Sequence, residues 1–456
     1  MIPGEMRVID EERVCVMDGE WSPVSVIREI VEVGTQEDPF YVMDLGEVVE
    51  RYRQWKEYMP RVEPFYAVKC NDDKLLVRTL AALGTGFDCA SKAEIQLVTD
   101  IGVKPERIIF ANPAKMASHI RHATALGVTT MTFDSETELH KIKQYSPDAQ
   151  LVIRIRCDAM SAQCPLGIKF GCEPLVEAPR LLKLAAVMSL AVVGVSFHVG
   201  SGARECAVYA RGIQLARGLF SLGDSLGLHM RLLDIGGGFA GDSAADLRQV
   251  SQVINAALDS QFSERDVRVI AEPGRYFAAA AYTLAAMIHA SREIQSESGD
   301  KHTMYFINDG VYGSFNCLLY DHQQVTAEPL EESSEPVSEC SIWGPTCDAL
   351  DCILPRTQLG GQRAGGWLVF RDMGAYTLPV AAPFNGFPVP RVRAVVERRL
   401  WAVLKDLWPL SETSITVEAR PSGPQSRAPS PPPGATPPHT PAPDSIHAVF
   451  VECALK

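Results

Sequence analysis

From about residue 63 the chain alternates between short apolar runs and longer stretches of helical period. The runs are 65-FYAVK-69, 85-TGFDC-89, 107-RIIFAN-112, 129-TTMTFD-134, 151-LVIRIR-156, 192-VVGVSFH-198, 230-MRLLDIG-236 and 266-DVRVIAE-272. Between them, 72-DDKLLVRTLAAL-83, 91-SKAEIQLVTDIG-102 and 205-ECAVYARGIQLARGLFSLGDSLG-227 place apolar residues at helical spacing. Short Val/Ile-rich runs separated by helices predict parallel strands buried on both faces. Eight such strands with seven helical segments predict an α/β protein with a (β/α)8 barrel, a better match than an open doubly wound sheet.

Outside that span the pattern changes. Residues 1–45 and 275–408 carry strand-like pieces (39-PFYVMD-44, 303-TMYFIND-309 and 366-GWLVFRDMG-374) with Gly, Pro and Asp turns and no regular helix alternation. They predict a second, mostly β domain built from both chain ends, flanking a barrel at 46–274. Between Pro421 and Pro443 ten of 23 residues are proline, which predicts a disordered, extended tail over 409–456.

Composition narrows the function classes. Lys plus Arg number 43 against 56 Asp plus Glu, a net charge of −13 and the wrong sign for a nucleic-acid partner. The most apolar stretch, 185–197, is too short to span a membrane. Twelve scattered cysteines without a CxxC pair suggest reduced thiols, and no secretory signal is visible at the N-terminus, so a cytoplasmic location is expected. No metal site is suggested: there is no HxxxH and no carboxylate cluster.

Candidate chemistry collects at the C-terminal ends of the predicted strands, where β/α barrels build their active sites. Lys69 ends the first, Asp88 the second, Asn112 the third, Arg154 the fifth and His198 the sixth. Gly236, Gly237 and Gly238 follow the seventh, and Glu272 ends the eighth. Any one of them could be an ordinary strand-end residue; together they are harder to dismiss. A lysine desolvated at the end of a buried strand is expected to have a lowered pKa and can form a Schiff base. The triplet in 234-DIGGGF-239 offers backbone N–H groups to a phosphate. A carboxylate at Glu272 can pair with a pyridinium nitrogen, and His198 can stack on the ring. This is the pattern of a pyridoxal 5'-phosphate (PLP) site. No GxGxxG opens a helix after an early strand, so a dinucleotide site is not indicated.

The segments 64-PFYAVKCND-72, 84-GTGFDCASKAEIQLV-98, 110-FANPAK-115, 193-VGVSFHVGSG-202, 232-LLDIGGGF-239, 271-AEPGRY-276, 308-NDGVYGSFNCLLYDH-322, 343-WGPTCDALD-351 and 372-DMGAYT-377 resemble the eukaryotic ornithine decarboxylase family, over roughly residues 10–400. The resemblance implies a PLP barrel plus β domain, acting as a homodimer with two shared active sites. It implies that Lys69 bonds the cofactor, His198 stacks on its ring and Glu272 partners its nitrogen. It makes Ser201, Gly236, Gly237, Gly238, Arg275 and Tyr376 phosphate ligands, with Asp88, Glu94 and Arg154 in support. Cys347, lent across the dimer, would direct protonation; Asp348 and Asp321 would hold the distal ammonium of ornithine. Lys169 and Asp351 match an intersubunit ion pair.

Departures at 157-CDAMSAQCPLGIKFG-171 and 380-VAAPFNGFPVPRVRA-394, and the unusual tail, suggest a paralogue. One such type acts on a neutral amino acid such as leucine. Another is the non-catalytic, antizyme-binding regulator, against which the retention of every candidate residue argues. Antizyme would meet a basic surface running from Lys115 through Arg121, His122, Lys141 and Lys143.

Overall fold

The structure, a computed structural model, describes residues 4–9, 12–159, 166–202, 205–263, 266–295, 301–407 and 415–417. Eight parallel strands close into a barrel: Val62–Ala67, Gly86–Cys89, Ile108–Phe110, Thr130–Phe133, Gln150–Arg156, Ala191–His198, Leu232–Asp234 and Arg268–Ala271. The last pairs with the first, Ile270 opposite Glu63. Each predicted run overlaps one of these strands, the first of which begins three residues earlier than its run, at Val62. The helices between them start where their caps dictate. Asp73 accepts the N–H groups of Leu75 and Leu76 ahead of Lys74–Leu83, and Ser91 accepts that of Glu94 ahead of Lys92–Asp100. Their apolar faces (Leu76, Leu80, Ile95, Val98) bury against the outer wall, while Phe65, Ile109, Val152, Leu232 and Ile270 fill the interior.

A second sheet of eleven strands draws on both ends of the chain. Its centre is Phe40–Asp44, which runs antiparallel to Tyr282–Gln295 on one side and parallel to Arg391–Glu397 on the other. Glu12–Met17 and Glu5–Ile9 continue it as a hairpin; Lys301–Ile307, Val337–Trp343 and Cys352–Gly360 extend the opposite side. Ile415–Val417 pair with Glu5–Ile9, so these three residues form a strand where a disordered tail was expected, satisfying an otherwise open edge. The proline-rich part of that tail lies outside the described residues. Helices Pro23–Glu32 and Leu45–Tyr58 interrupt the N-terminal strands. Trp55 of the second is fully buried and donates its indole N–H to Val62 O at 2.9 Å, docking that helix where the barrel begins. No helix among the described residues is long and apolar enough to cross a membrane.

Candidate active site

Lys69 enters the barrel mouth from a turn rather than from the strand itself. The strand stops at Ala67, whose N–H donates to Pro273 O at 3.3 Å, and Val68–Cys70 wind into one 3-10 turn. That turn points the ammonium at Asp88 on the neighbouring strand, with which it forms a short ion pair. Burial opposes the Lys69 charge, but Asp88, Glu272 and Tyr376 outweigh it and hold the ammonium above the usual lysine range. The expectation of a lowered pKa is overturned. Desolvation is present, but three neighbouring acidic groups reverse its effect.

Across the mouth stand two buried carboxyl groups at the ends of adjacent strands: Asp234, the last residue of one, and Glu272, the first residue after the other. Burial lifts Asp234 to about 6. Glu272 is pushed well above the ordinary carboxyl range by burial first, then by repulsion from Asp234 and Asp88. Such a pair readily holds a proton between its members. His198 closes the same wall. Its Nδ1 accepts the Gly200 N–H at 2.9 Å, which leaves Nε2 as the protonated nitrogen of a neutral ring. Burial, then the charges of Arg154 and Lys69, hold its pKa far below the usual imidazole value.

The glycine triplet is sterically required. Gly236 has φ +66°, and a Cβ there would fall 2.2 Å from Phe197 O; at Gly238, φ +104°, it would fall 2.6 Å from Gly200 O. Tyr209 donates its hydroxyl to Gly237 O at 2.9 Å and steadies the loop from behind. Arg275 sits beside this cradle, its Nη2 3.0 Å from Ser201 Oγ and its guanidinium 5.2 Å above the Tyr376 ring. Its Nε is buried without a partner. Tyr376 has a left-handed backbone (φ +55°), and its N–H donates to Cys70 O at 2.9 Å, tying it to the Lys69 turn. A guanidinium with spare donor capacity, a hydroxyl and a side-chain-free loop fit the phosphate of PLP, and Lys69 and Glu272 lie in the same mouth.

The other candidates have partners of their own. Asp321 accepts two hydrogen bonds from Arg275 Nη2, at 2.6 and 2.7 Å, so its charge is matched inside its own chain. Glu94 accepts the Ala90 N–H at 2.6 Å and is raised by burial to about 7. Arg154 lies 5.4 Å over the Phe170 ring. Asn112 caps its own turn, accepting the Ala114 N–H at 3.1 Å, and serves the fold. Cys347 and Asp348 lie in the loop between Val337–Trp343 and Cys352–Gly360. Cys347 is exposed and its N–H donates to Asn385 Oδ1 at 3.0 Å; Asp348 accepts from Tyr312 OH and, at 3.0 Å, from the Leu350 N–H. Among the described residues no hydrogen bond links Cys347 or Asp348 to Lys69, His198 or Arg275. Asp351, expected to pair with Lys169 across subunits, is 1% exposed and accepts from the Val311 N–H, the Thr346 N–H and the Thr346 hydroxyl of its own chain.

Lys115 does not belong to a solvent-facing basic surface. It is 1% exposed, with Nζ 2.9 Å from Glu138, which also pairs with Lys141 at 2.6 Å. Burial, opposed by Glu138, lowers its pKa to about 8. Lys115→Ala should cost about 3 kcal/mol in urea unfolding, the low end for breaking a buried pair because Lys141 still faces Glu138. A loss under about 1 kcal/mol would mean that the pair is not held in solution.

Sequence reasoning missed Asp234. It stands two residues before the glycine triplet in 234-DIGGGF-239, where a strand-end carboxylate was legible, but the motif was read for its glycines alone.

A family model described as the pyridoxal binding domain of pyridoxal-dependent decarboxylases matches residues 45–279. Ornithine decarboxylase of Rattus norvegicus is 47% identical over 396 residues, covering 83% of this chain and 86% of the relative. Antizyme inhibitor 2 of Xenopus laevis is 46% identical over 392 residues, covering 83% and 86%. The crystal structure of the Paramecium bursaria Chlorella virus arginine decarboxylase bound to agmatine superposes with a TM-score of 0.78 at 36% identity, covering 81% of this chain and all of that one. The barrel fold and these matches thus define a PLP enzyme. The chain belongs to the pyridoxal-dependent decarboxylase family, and it is an amino-acid decarboxylase that uses PLP.

Proposed function

We propose that the substrate is ornithine and the product putrescine, released with CO2. The observation that carries this is Asp348. The Leu350 N–H and the Tyr312 hydroxyl hold its pKa below the ordinary value, so it is ionised at neutral pH and suited to receive a distal ammonium. Asp321 is already matched by Arg275, which leaves Asp348 as the carboxylate available for substrate. A neutral side chain such as that of leucine would gain about 1.5–3 kcal/mol from burial but would strand that carboxylate without a partner in a closed site.

In this reading Lys69 holds the cofactor through Nζ, with Asp88 orienting it. Ser201, Gly236, Gly237, Gly238, Arg275 and Tyr376 grip the phosphate. Bound PLP supplies an aldehyde for the substrate amine and a ring that takes up the electron pair left by CO2. Glu272 would accept the N–H of the ring nitrogen as a carboxylate, and the buried pair it forms with Asp234 would supply the proton that keeps that nitrogen charged. His198, neutral and fixed by Gly200, packs on the ring face without adding charge.

The site is completed by a second copy of the chain. Asn385, Tyr312 and Asp351 brace the loop that presents Cys347 and Asp348. Around these segments Tyr320 and Leu350 are each 69% exposed, and Phe384 and Phe387 also face solvent. Apolar residues exposed beside site residues are what an intersubunit face would cover. There the partner subunit's Cys347 delivers a proton to the carbon that lost CO2. The ten described cysteines are free thiols, which supports a cytoplasmic location.

Purified protein loaded with PLP and given ornithine or leucine separately, with CO2 and amine measured, tests the substrate. Ornithine should turn over at least about tenfold faster, the ratio expected from some 1.4 kcal/mol of differential stabilisation. Faster turnover of leucine rejects the assignment while leaving the PLP chemistry in place.

A further inference from the structure

On the outer side of the phosphate cradle, three segments from distant parts of the chain meet at Asp372. Its Oδ1 accepts the Ser243 N–H at 2.8 Å and its Oδ2 the Ser243 hydroxyl at 3.1 Å. Ser243 lies on the loop that begins with the glycine triplet. The Asp372 carbonyl accepts Gln323 Nε2 at 3.0 Å, two residues beyond Asp321. Asp372 also opens 372-DMGAYT-377, the turn that delivers Tyr376. Two neighbouring N–H groups pin that turn to the eighth βα loop and the sheet: Gly374 donates to Ala279 O at 3.1 Å and Met373 to Tyr282 O at 3.0 Å.

The backbone at Asp372 is left-handed (φ +58°), as it is at Tyr376, a conformation rarely taken by non-glycine residues and one in which Asp and Asn are over-represented. The loop it grips is packed onto Arg275: a Cβ at Gly241 would fall 2.0 Å from Arg275 O. Asp242, Ser243, Arg275, Gln323 and Asp372 line one cavity of about 380 Å³ behind the guanidinium.

We propose that Asp372 is a positioning residue, a latch that holds the glycine loop, the Arg275 turn and the Tyr376 turn in the spacing that grips the PLP phosphate. The inference rests on the phosphate reading given above and extends it to a residue that does not touch the cofactor. The hydrogen bonds to Ser243 set the distance between loop and turn; the left-handed backbone aims the turn at the mouth. The two contributions are separable. Asparagine keeps both, because it tolerates the backbone and its Oδ1 still accepts the Ser243 N–H. Glycine keeps only the backbone, and alanine keeps neither.

The test is PLP titration of cofactor-free protein, followed by fluorescence quenching, with circular dichroism and Tm without PLP as fold controls. Asp372→Gly should raise the Kd for PLP about tenfold, the size expected for losing a charge-assisted hydrogen bond, and Asp372→Ala by more than that, while Asp372→Asn stays within about twofold. Wild-type affinity in Asp372→Ala overturns the latch. So does full affinity in Asp372→Gly, which would assign the effect to backbone strain alone. If Asp372→Ala does not fold, Ser243→Ala decides: it should weaken PLP severalfold, and unchanged affinity overturns the latch. Arg275→Ala is the control for the underlying reading. Unchanged affinity there overturns the phosphate assignment and the latch with it, whereas a loss there with none at Asp372 or Ser243 overturns the latch alone.

Discussion

Lys69→Ala should lower CO2 release from ornithine by about 10⁴-fold or more while the chain stays folded and still binds PLP through its phosphate. Lys69 is the amine that the strand end and the Val68–Cys70 turn deliver to the mouth, and Asp88 is aimed at it. Arg154, which acts with Lys69 on His198, and Arg275, which acts with it on Tyr376, are guanidiniums, which stay charged and do not bond an aldehyde. Borohydride reduction should fix PLP covalently to the wild type and leave Lys69→Ala unlabelled. Activity above about a tenth of wild type, or covalent labelling of the variant, would place the bond elsewhere.

Mixing Lys69→Ala with Cys347→Ala should recover activity that neither variant has. If Lys69 and Cys347 of one site come from different subunits, a mixed dimer carries one site with both changes and one with neither. Random exchange makes half the dimers mixed, so recovery should approach about a quarter of wild type. The hydrogen bonds that hold Cys347 and Asp348 run to Asn385, Tyr312 and Leu350 of their own domain, as expected for a loop presented outward. No recovery after confirmed subunit exchange would place Cys347 in the same site as its own Lys69.

The barrel was legible because most residues of its strands are buried on both faces and read as short runs rich in apolar residues, so the eight runs survive without alternation to guide them. The hairpin of Glu5–Ile9 and Glu12–Met17 was not, because charged residues such as Glu5, Arg7, Glu12 and Arg13 hide the apolar positions of strands that lie towards the sheet's end. The helix Leu45–Tyr58 was missed for a similar reason: eight of its fourteen residues are charged, amide or glycine, and only a narrow stripe (Leu45, Val48, Trp55) marks the buried face. At the site, residue identity and order were readable, but charge state was not. The raised pKa of Lys69 and the sharing of Asp321 with Arg275 depend on groups far apart in sequence, Asp88 with Glu272 in one case and positions 275 and 321 in the other. Lys115 failed in the same way. A lysine in 110-FANPAK-115 looks exposed until Glu138, on another helix, is seen to take it inside.

The placement of Phe40–Asp44 at the centre of the sheet has a consequence for how the enzyme is made. Its register partner Ala394 lies about 350 residues downstream of Met43, and at typical synthesis rates of ~5–20 residues per second that partner emerges roughly 20–70 s later. The barrel, whose strand-to-strand contacts are mostly local, can close during this interval. The strand Phe40–Asp44, nearly all of it buried in the finished protein, must wait in the open with both edges unpaired until Tyr282–Gln295 emerges, and with one edge unpaired until Arg391–Glu397 does. On the ribosome, then, the vulnerable species is a finished barrel trailing an uncovered N-terminal strand, and a chaperone that shields residues 40–44 would do more for yield than one that shields the barrel.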